Sequence, residues 1–506
     1  MFGLNRRYGL ERANLAAAAL GAVLLLSAWE GGLFFEEASY RLAVVLAAGA
    51  ALACLAVLAC QPIGRRSSGI PSKASVLAST CVMPLALAGA YALHLLSRPL
   101  SDELTAEQAV RWGSYFLFAV LLRASIGWTG GRRHLASALM AATLGTTIAA
   151  LAGWLGWRGV AHAVLWTDDP QISAAGARLG GPFQYPNMLG AVAGALLLWH
   201  AAMLAKARRT RTYGLAFALV SLSAATLLLT ESRGAWLTTL CGAAAAWLAM
   251  PRTQRTVWLL RLSAAALAAS AAVQVLEEPG RLRLDTAAAA ACLAALAGAW
   301  LAWPGKLELA SRRIGLPGAG ARGGFAALAL GLGTCMLGAA WLAQRPRLLG
   351  RSGAGGYETA SSRLHYYRDA WRLIRESWWF GEGGGAWALQ YEGVRTLPYV
   401  STEVHSGYLN LALELGMTGL AAVLLWLAAV LAALWRKDRQ VIPAVVVLLS
   451  HAAFDFDMSY GYYWLLLLTL TIYGLTGGEA GMAGEQVGRS AIGGLSIRQG
   501  ERRNML

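Results

Sequence analysis

Three side chains far apart in the chain have the type and setting for group-transfer chemistry: His405, Arg363 and Arg233. His405 stands just before a long apolar stretch, and an imidazole is the usual group for taking a proton near neutral pH. A capping or interfacial histidine is the plainer reading. Glu403 precedes it by two residues, while Asn410 and Glu414 fall one helical turn apart on a common face below it, so one of these could orient the ring. In the stretch from Arg363, four arginines (Arg363, Arg368, Arg372, Arg375) alternate with Tyr366, Tyr367 and Trp371 at a spacing that suits an amphipathic helix. Arg363, Tyr367 and Trp371 would share one face. A guanidinium is a planar, bidentate, permanently charged donor suited to a lipid pyrophosphate; the same segment also suits a basic-aromatic helix lying on a membrane surface. Arg233, in L-T-E-S-R-G-A-W-L, follows Glu231 at the end of an apolar run. A charge at that depth is normally paired or functional, and a snorkelling arginine bridged to Glu231 is the other reading.

Weaker signals surround these. The glycine-rich turn F-G-E-G-G-G-A, Phe380 to Ala386, could bring backbone N–H groups to an anion or simply join two loop helices. His451 and Asp455, one turn apart, read as a buried pair. Arg123 and Arg261 read as snorkelling side chains. Asp168 and Asp169 are adjacent but lack a D-x-D or His/Cys ligand cluster, so no metal site is expected.

The elements that must position these groups are membrane helices. The chain of 506 residues is 57% hydrophobic and only 14% charged, which a soluble domain of average composition would not show. Apolar runs predict an all-α, polytopic membrane protein of about fourteen spans, with twelve to fourteen plausible, since a crossing takes about 17 to 25 residues. The eleventh run covers 324–343, the thirteenth 441–456 and the fourteenth 462–476. The expected organisation is N-terminal helices and a first outer loop (1–186), central helices (187–343), a large outer loop carrying short helices (344–407), C-terminal helices (408–476) and a disordered cytoplasmic tail (477–506). The first run has a basic start and no convincing cleavage site, so it reads as an uncleaved anchor. Although the net charge is +16, the basic residues sit mainly in short turns between apolar runs. That is the pattern of orientation signals and excludes nucleic-acid binding; it places both termini in the cytoplasm and the large loop outside. The six cysteines lie in apolar runs and read as packing residues.

Four short motifs in a fixed order carry a resemblance: S-R-G-A-W-L from Ser232, R-x-x-x-Y-x-x-A-W-x-L-I from Arg363, F-G-x-G-x-G from Phe380, and H-x-x-Y-L-x-x-x-x-E-L-G from His405. Over about Gly180 to Gly419 the chain resembles the bacterial O-antigen ligase/polymerase family. The resemblance implies a membrane glycosyltransferase that moves a glycan from undecaprenyl pyrophosphate to an acceptor hydroxyl on the outer face of the cytoplasmic membrane, with inversion and without metal or other cofactor. Its partners would be the lipid-linked donor, a glycan or lipid-glycan acceptor and the bilayer. It implies pyrophosphate binding by Arg233 and Arg363 and a general base at His405, with Arg368, Glu403, Asn410 and Glu414 in support. Trp371, Trp378, Trp379, Trp387 and Tyr391 could present faces to sugar rings. Two positions depart from many relatives: Ser406 stands where Asn is frequent, and Trp378-Trp379 where Asn-Pro is frequent. A flippase or exporter of a lipid-linked glycan is the rival reading, but it would be expected to set charges mid-membrane along a pathway. A non-catalytic scaffold would not need Arg233, Arg363 and His405 together.

Overall fold

The computed structural model describes residues 2–59, 76–126, 131–169, 172–173, 175–276, 278–282, 285–301 and 358–477. The expected eleventh span, the first part of the large loop and nearly all of the tail lie outside these residues. The described chain is helical: α1 (Phe2–Trp29), α2 (Glu36–Ala59), α3 (Val76–His94), α4 (Asp102–Ile126), α5 (Gly131–Trp154), α6 (Pro186–Lys206), α7 (Thr210–Leu229), α8 (Arg233–Ala249), α9 (Arg252–Val275) and α10 (Thr286–Leu301). After the large loop's own helices, α11 (Glu358–Glu376) and α12 (Ala386–Val394), come α13 (Gly407–Lys437), α14 (Ile442–His451) and α15 (Gly461–Leu475).

Among the described residues, 7 helices are long and apolar enough to cross a membrane, and three apolar helices are shorter. The protein is a polytopic α-helical membrane protein, and its described residues show fewer full-length spans than the run count predicts. The difference is physical at the C-terminal end. The thirteenth run yields only ten helical residues, Ile442–His451, because the chain turns out of the helix at Ala452. The fourteenth yields fifteen, about 22 Å at 1.5 Å per residue, short of the roughly 30 Å hydrocarbon core. Helix α15 can be short because nearly every residue of it is buried in protein, against α1, α3, α4, α5, α13 and α14. α6 is almost as deeply enclosed, between α7, α8, α9 and α14.

One element departs from the all-α expectation. Val164–Trp166 (β1) and Ala177–Leu179 (β2) form an antiparallel pair with Val164 opposite Leu179. β2 carries Arg178 to the start of α6, where Pro186 occupies the first helical turn, a position that needs no N–H donor. Arg261, expected to snorkel, is instead buried. Its Nη1 donates to the carbonyls of Leu204 (2.6 Å), Ala205 (3.2 Å) and Ala207 (3.0 Å), satisfying the C-terminal end of α6.

Helix α11 has the expected amphipathic pattern, and its apolar side is covered by protein. Ala370, Leu373 and Ile374 join Trp387, Tyr391, Val404 and Leu413 in a second apolar core that fastens α11 and α12 onto α13. Asp369, fully buried beneath them, accepts from the Thr396 N–H (2.9 Å), the Tyr399 hydroxyl (2.8 Å) and Arg372 (3.3 Å), closing the segment after α12 back onto α11.

Candidate active site

The glycine turn positions the loop. Gly383 N–H donates to the Glu414 carbonyl (3.0 Å), Glu382 N–H to the Leu413 carbonyl (3.0 Å), Gly385 N–H to Glu414 Oε1 (3.0 Å) and Gly384 N–H to Thr105 Oγ1 (3.0 Å). These donors are committed to α13 and α4, so the turn is neither an anion cradle nor a loose joint. Its partner is a break in α13 at Gly416 (φ 65°, ψ −175°), where a Cβ would come within 2.3 Å of the Trp379 backbone. Only glycine accepts that conformation readily.

With the loop seated, α11 delivers Arg363 to a carboxylate that local spacing did not assign to it. Asp455, whose side chain is 1% exposed, accepts from Arg363 Nη2 (3.0 Å), the Tyr185 hydroxyl (2.9 Å) and Asn187 Nδ2 (2.8 Å), and lies 3.6 Å from His405 Nδ1. Burial alone would raise this carboxyl. The approach of His405 and the charge of Arg363 outweigh it, and Asp455 is held well below the ordinary carboxylate range. Burial works against the Arg363 charge, and Asp455 more than offsets it, so the guanidinium stays firmly ionised. Asp455 is therefore a fixed anion shared by Arg363 and His405.

His405 itself has a left-handed backbone (φ 54°), uncommon for a residue with a side chain. Its carbonyl accepts from the Tyr367 hydroxyl at 2.8 Å; burial pushes that phenol up to about 12, so it remains a donor. Tyr366 stacks on the imidazole (5.6 Å, 25°) and Phe456 meets it edge-on (5.0 Å). Ser406 caps α13 by accepting from Leu409 N–H (3.4 Å). Ser and Asn are both strong N-caps, which accounts for the departure at this position. Gly407 N–H then donates to the carbonyls of Ala452 (2.9 Å) and Asp455 (3.2 Å), tying the histidine segment to the turn after α14.

The third expected residue stands beside this centre. Arg178 Nη2 donates to Asn187 Oδ1 (2.7 Å) and its Nε to the Thr230 carbonyl (2.8 Å), joining the Asp455 network to the turn before α8. Ser232 caps that helix and Arg233 opens it, exposed; the next residue, Gly234, packs against Phe454 and His451 of the Asp455 turn. Arg363 thus reaches the buried aspartate from α11, Arg178 is linked to it through Asn187, and Arg233 opens the helix whose Gly234 lies against the Asp455 turn.

The other expectations fare unevenly. His451 pairs with Asp457 Oδ2 (2.5 Å) and not with Asp455, because the chain leaves the helix in between. Glu403 does not orient the ring. It accepts from Ser459 Oγ (2.9 Å), and burial pushes its carboxyl up to about 7. Glu414 is bound by the Tyr91 hydroxyl (2.6 Å) and the glycine turn, and with Asn410 it lines a separate cavity. Arg368 is exposed on α11, five residues on from Arg363 and so rotated off its face. Trp387 and Tyr391 are core residues, 1% and 6% exposed, and cannot offer faces to sugars; Trp371 and Trp379, at 43% and 65%, can. Among the described residues no group of three or more His, Cys, Asp or Glu is arranged to hold a metal ion.

An enclosed helical bundle with an amphipathic loop docked on it, and a histidine and an arginine meeting at a buried carboxylate, defines a polytopic helical membrane protein with a polar site beneath the loop. Residues 217–424, a segment containing Arg233, Arg363 and His405, match the family model described as O-antigen ligase, so this part of the chain is similar to an O-antigen ligase domain. That domain implies a membrane function of the glycan ligase or polymerase type, acting on lipid-linked glycans. A comparison with curated proteins found no match. Asp455, Tyr185, Asn187 and Arg178 all lie outside the matched segment.

Proposed function

We propose that the protein is an inverting glycosyltransferase that moves a glycan from undecaprenyl pyrophosphate to an acceptor hydroxyl at the outer face of the cytoplasmic membrane. The observation that carries this reading is the convergence of Arg363 and His405 on Asp455. Nδ1 of His405 faces the carboxylate, so Nε2, on the opposite edge of the ring, is directed away from it and is available to an incoming hydroxyl. In the transfer step the acceptor oxygen bonds to the sugar's anomeric carbon as the carbon–oxygen bond to the pyrophosphate breaks, and the hydroxyl proton passes to His405. The imidazolium so formed lies against Asp455. The leaving undecaprenyl pyrophosphate gains negative charge, which Arg363 and the exposed Arg233 are placed to meet. Asp455 takes one nitrogen of Arg363, leaving the rest of the fork for phosphate oxygens. Because guanidinium groups can supply this stabilisation, we infer that the reaction needs no metal or other cofactor. The outward orientation follows from the basic turns at the opposite end of the bundle.

The test is transfer by the purified full-length protein in detergent, with an undecaprenyl-pyrophosphate glycan and EDTA present. His405→Ala should fold and abolish transfer. Arg363→Lys should raise the donor KM by about tenfold, since a point charge does not replace a fork. Normal product from either variant contradicts the assignment; product size separates single ligation from polymerisation.

A further inference from the structure

A cavity of about 840 Å³ adjoins the His405 segment and is not lined by Arg363, Arg178 or Arg233. It is bounded by Phe34 and Phe35, by the start of α2, by α4, by the start of α13 and by Ser459, and both Glu403 and Gly407, which flank the histidine, are in its wall. Its volume falls within the range of about 300 to 1,000 Å³ for small-molecule sites. Among the described residues, five glutamates line it (Glu36, Glu37, Glu107, Glu403 and Glu414) against a single arginine, Arg111.

That arginine neutralises one of them, Glu107, and is otherwise occupied by backbone carbonyls. Arg111 pairs with Glu107 (2.8 Å) and donates to the carbonyls of Phe34 (2.7 Å), Leu33 (3.2 Å) and Ser459 (3.3 Å). It holds the Leu33–Phe34 turn, where Leu33 has a positive φ of 60°, against the turn that follows Asp455. Glu107 and Glu414, 5% and 4% exposed, form a carboxylate floor, and Phe34 and the exposed Phe35 form an aromatic rim. Carboxylates with aromatic faces are a complementary set for sugar hydroxyls, C–H faces and ammonium groups, and a hostile one for phosphate or uronate. The His405 segment therefore has unlike surroundings: Arg363 shares Asp455 with the imidazole, while the flanking Glu403 and Gly407 border a glutamate-lined cavity. An anionic pyrophosphate cannot be the occupant of that cavity.

We propose that this cavity binds the sugar of the acceptor and selects rings that are uncharged or carry an amine, excluding anionic ones. The acceptor role rests on the transferase reading above; the charge selection rests on the cavity alone. With the acceptor here, its hydroxyl reaches His405 past Gly407 while the donor phosphates stay with Arg363 and Arg233.

The test uses the full-length protein in detergent micelles and measures binding of three probe trisaccharides by isothermal titration: the glucosamine trimer, its N-acetylated counterpart and trigalacturonate. Expected is the order glucosamine above N-acetylglucosamine, with trigalacturonate not bound. The exposed pair Glu36→Gln/Glu37→Gln should weaken the glucosamine trimer by about tenfold while leaving the neutral trimer within about twofold, because each partly solvated charge contact contributes roughly 0.5 to 1 kcal/mol. Failure of transfer by the wild-type protein with probe binding intact would count against the transferase reading and not against the charge selection. Binding of trigalacturonate as tight as that of the glucosamine trimer overturns the proposal. So does binding of neither glucosamine probe, or loss of all sugar binding in favour of calcium.

Discussion

Asp455→Asn is the sharpest probe of the centre, because it changes one charge and almost no volume. In the native site one carboxylate oxygen accepts from the Tyr185 hydroxyl and the other from both Arg363 and Asn187. Asparagine can keep the first contact, but its amide nitrogen then faces two donors where an acceptor is needed. Removing one partner from a buried ion pair costs about 3 to 5 kcal/mol. Arg363 is 26% exposed, so part of that loss is recovered from solvent and the lower end applies. A loss of about 3 kcal/mol in the transition state is a factor of about 10² in kcat/KM. The assay is initial-rate transfer from a lipid-linked glycan, with donor concentration varied and the folded fraction checked by gel filtration. The contrast is Asp457→Asn, two residues away. Asp457 is buried against His451 and touches neither Arg363 nor His405, so its loss should lower the thermal midpoint while turnover per folded molecule stays within about threefold. An Asp455→Asn enzyme that folds and turns over within threefold of the wild type would refute the idea that this carboxylate organises the site.

Three further outcomes follow from the geometry. Gly416→Ala should destabilise loop docking by about 3 kcal/mol or more, since the neighbour it strikes is backbone and cannot rotate away; rapid proteolysis within 377–406 is the readout. Ser406→Ala should lower stability by about 1 kcal/mol through the lost cap, whereas Ser406→Asn should match the wild type in both thermal midpoint and turnover. Glu403, ordinarily near 4.5, has a folded-state value of about 7. Between those values the folded protein binds more protons than the unfolded chain, so stability falls as pH rises from about 5 to 7, and the half-buried carboxyl contributes about 2 kcal/mol of that fall. Glu403→Gln should flatten the decline; an unchanged slope in thermal midpoint against pH would remove Glu403 as its source.

What could be read in the sequence was what local pattern encodes. Arg363, Tyr366 and Tyr367 lie on a segment whose periodicity announces a helix, and His405 stands at an abrupt change from polar to apolar, so both could be singled out without knowing their neighbours. Asp455 could be noticed but not paired correctly. Its ligands are 92 and 270 residues distant along the chain, and the apolar Ala452, Ala453 and Phe454 look like continuing helix when they are in fact a turn. The glycine turn misled in a related way. Its composition suggests mobility, but each glycine is required by an approach of α13 or α4 that no local signal records. The last two runs give helices shorter than the length rule assumes, because that rule applies to helices that face lipid, and α15 faces protein. Trp387 and Tyr391 read as surface aromatics because the small core they close is assembled from segments on either side of the glycine turn.

The same contacts make assembly of the site and docking of the loop a single event. Arg363 enters from the beginning of the loop and His405 from its end, and each meets a fixed partner on the bundle: Asp455 for the first, and for the second both Asp455 and the Gly407 link to Ala452. Between them the loop is held by the glycine turn on Gly416 and by its own small core. A disturbance at Gly416 is remote in sequence from Arg363, yet any lift of the loop there withdraws α11 as a body, since Ala370 and Ile374 are packed in that core. Separation of Arg363 from Asp455 would then free the carboxylate and the imidazole together. Loop-destabilising variants should accordingly lose donor binding and turnover in proportion to the undocked fraction, whereas His405→Ala, which leaves the loop seated, should lose turnover and keep the donor.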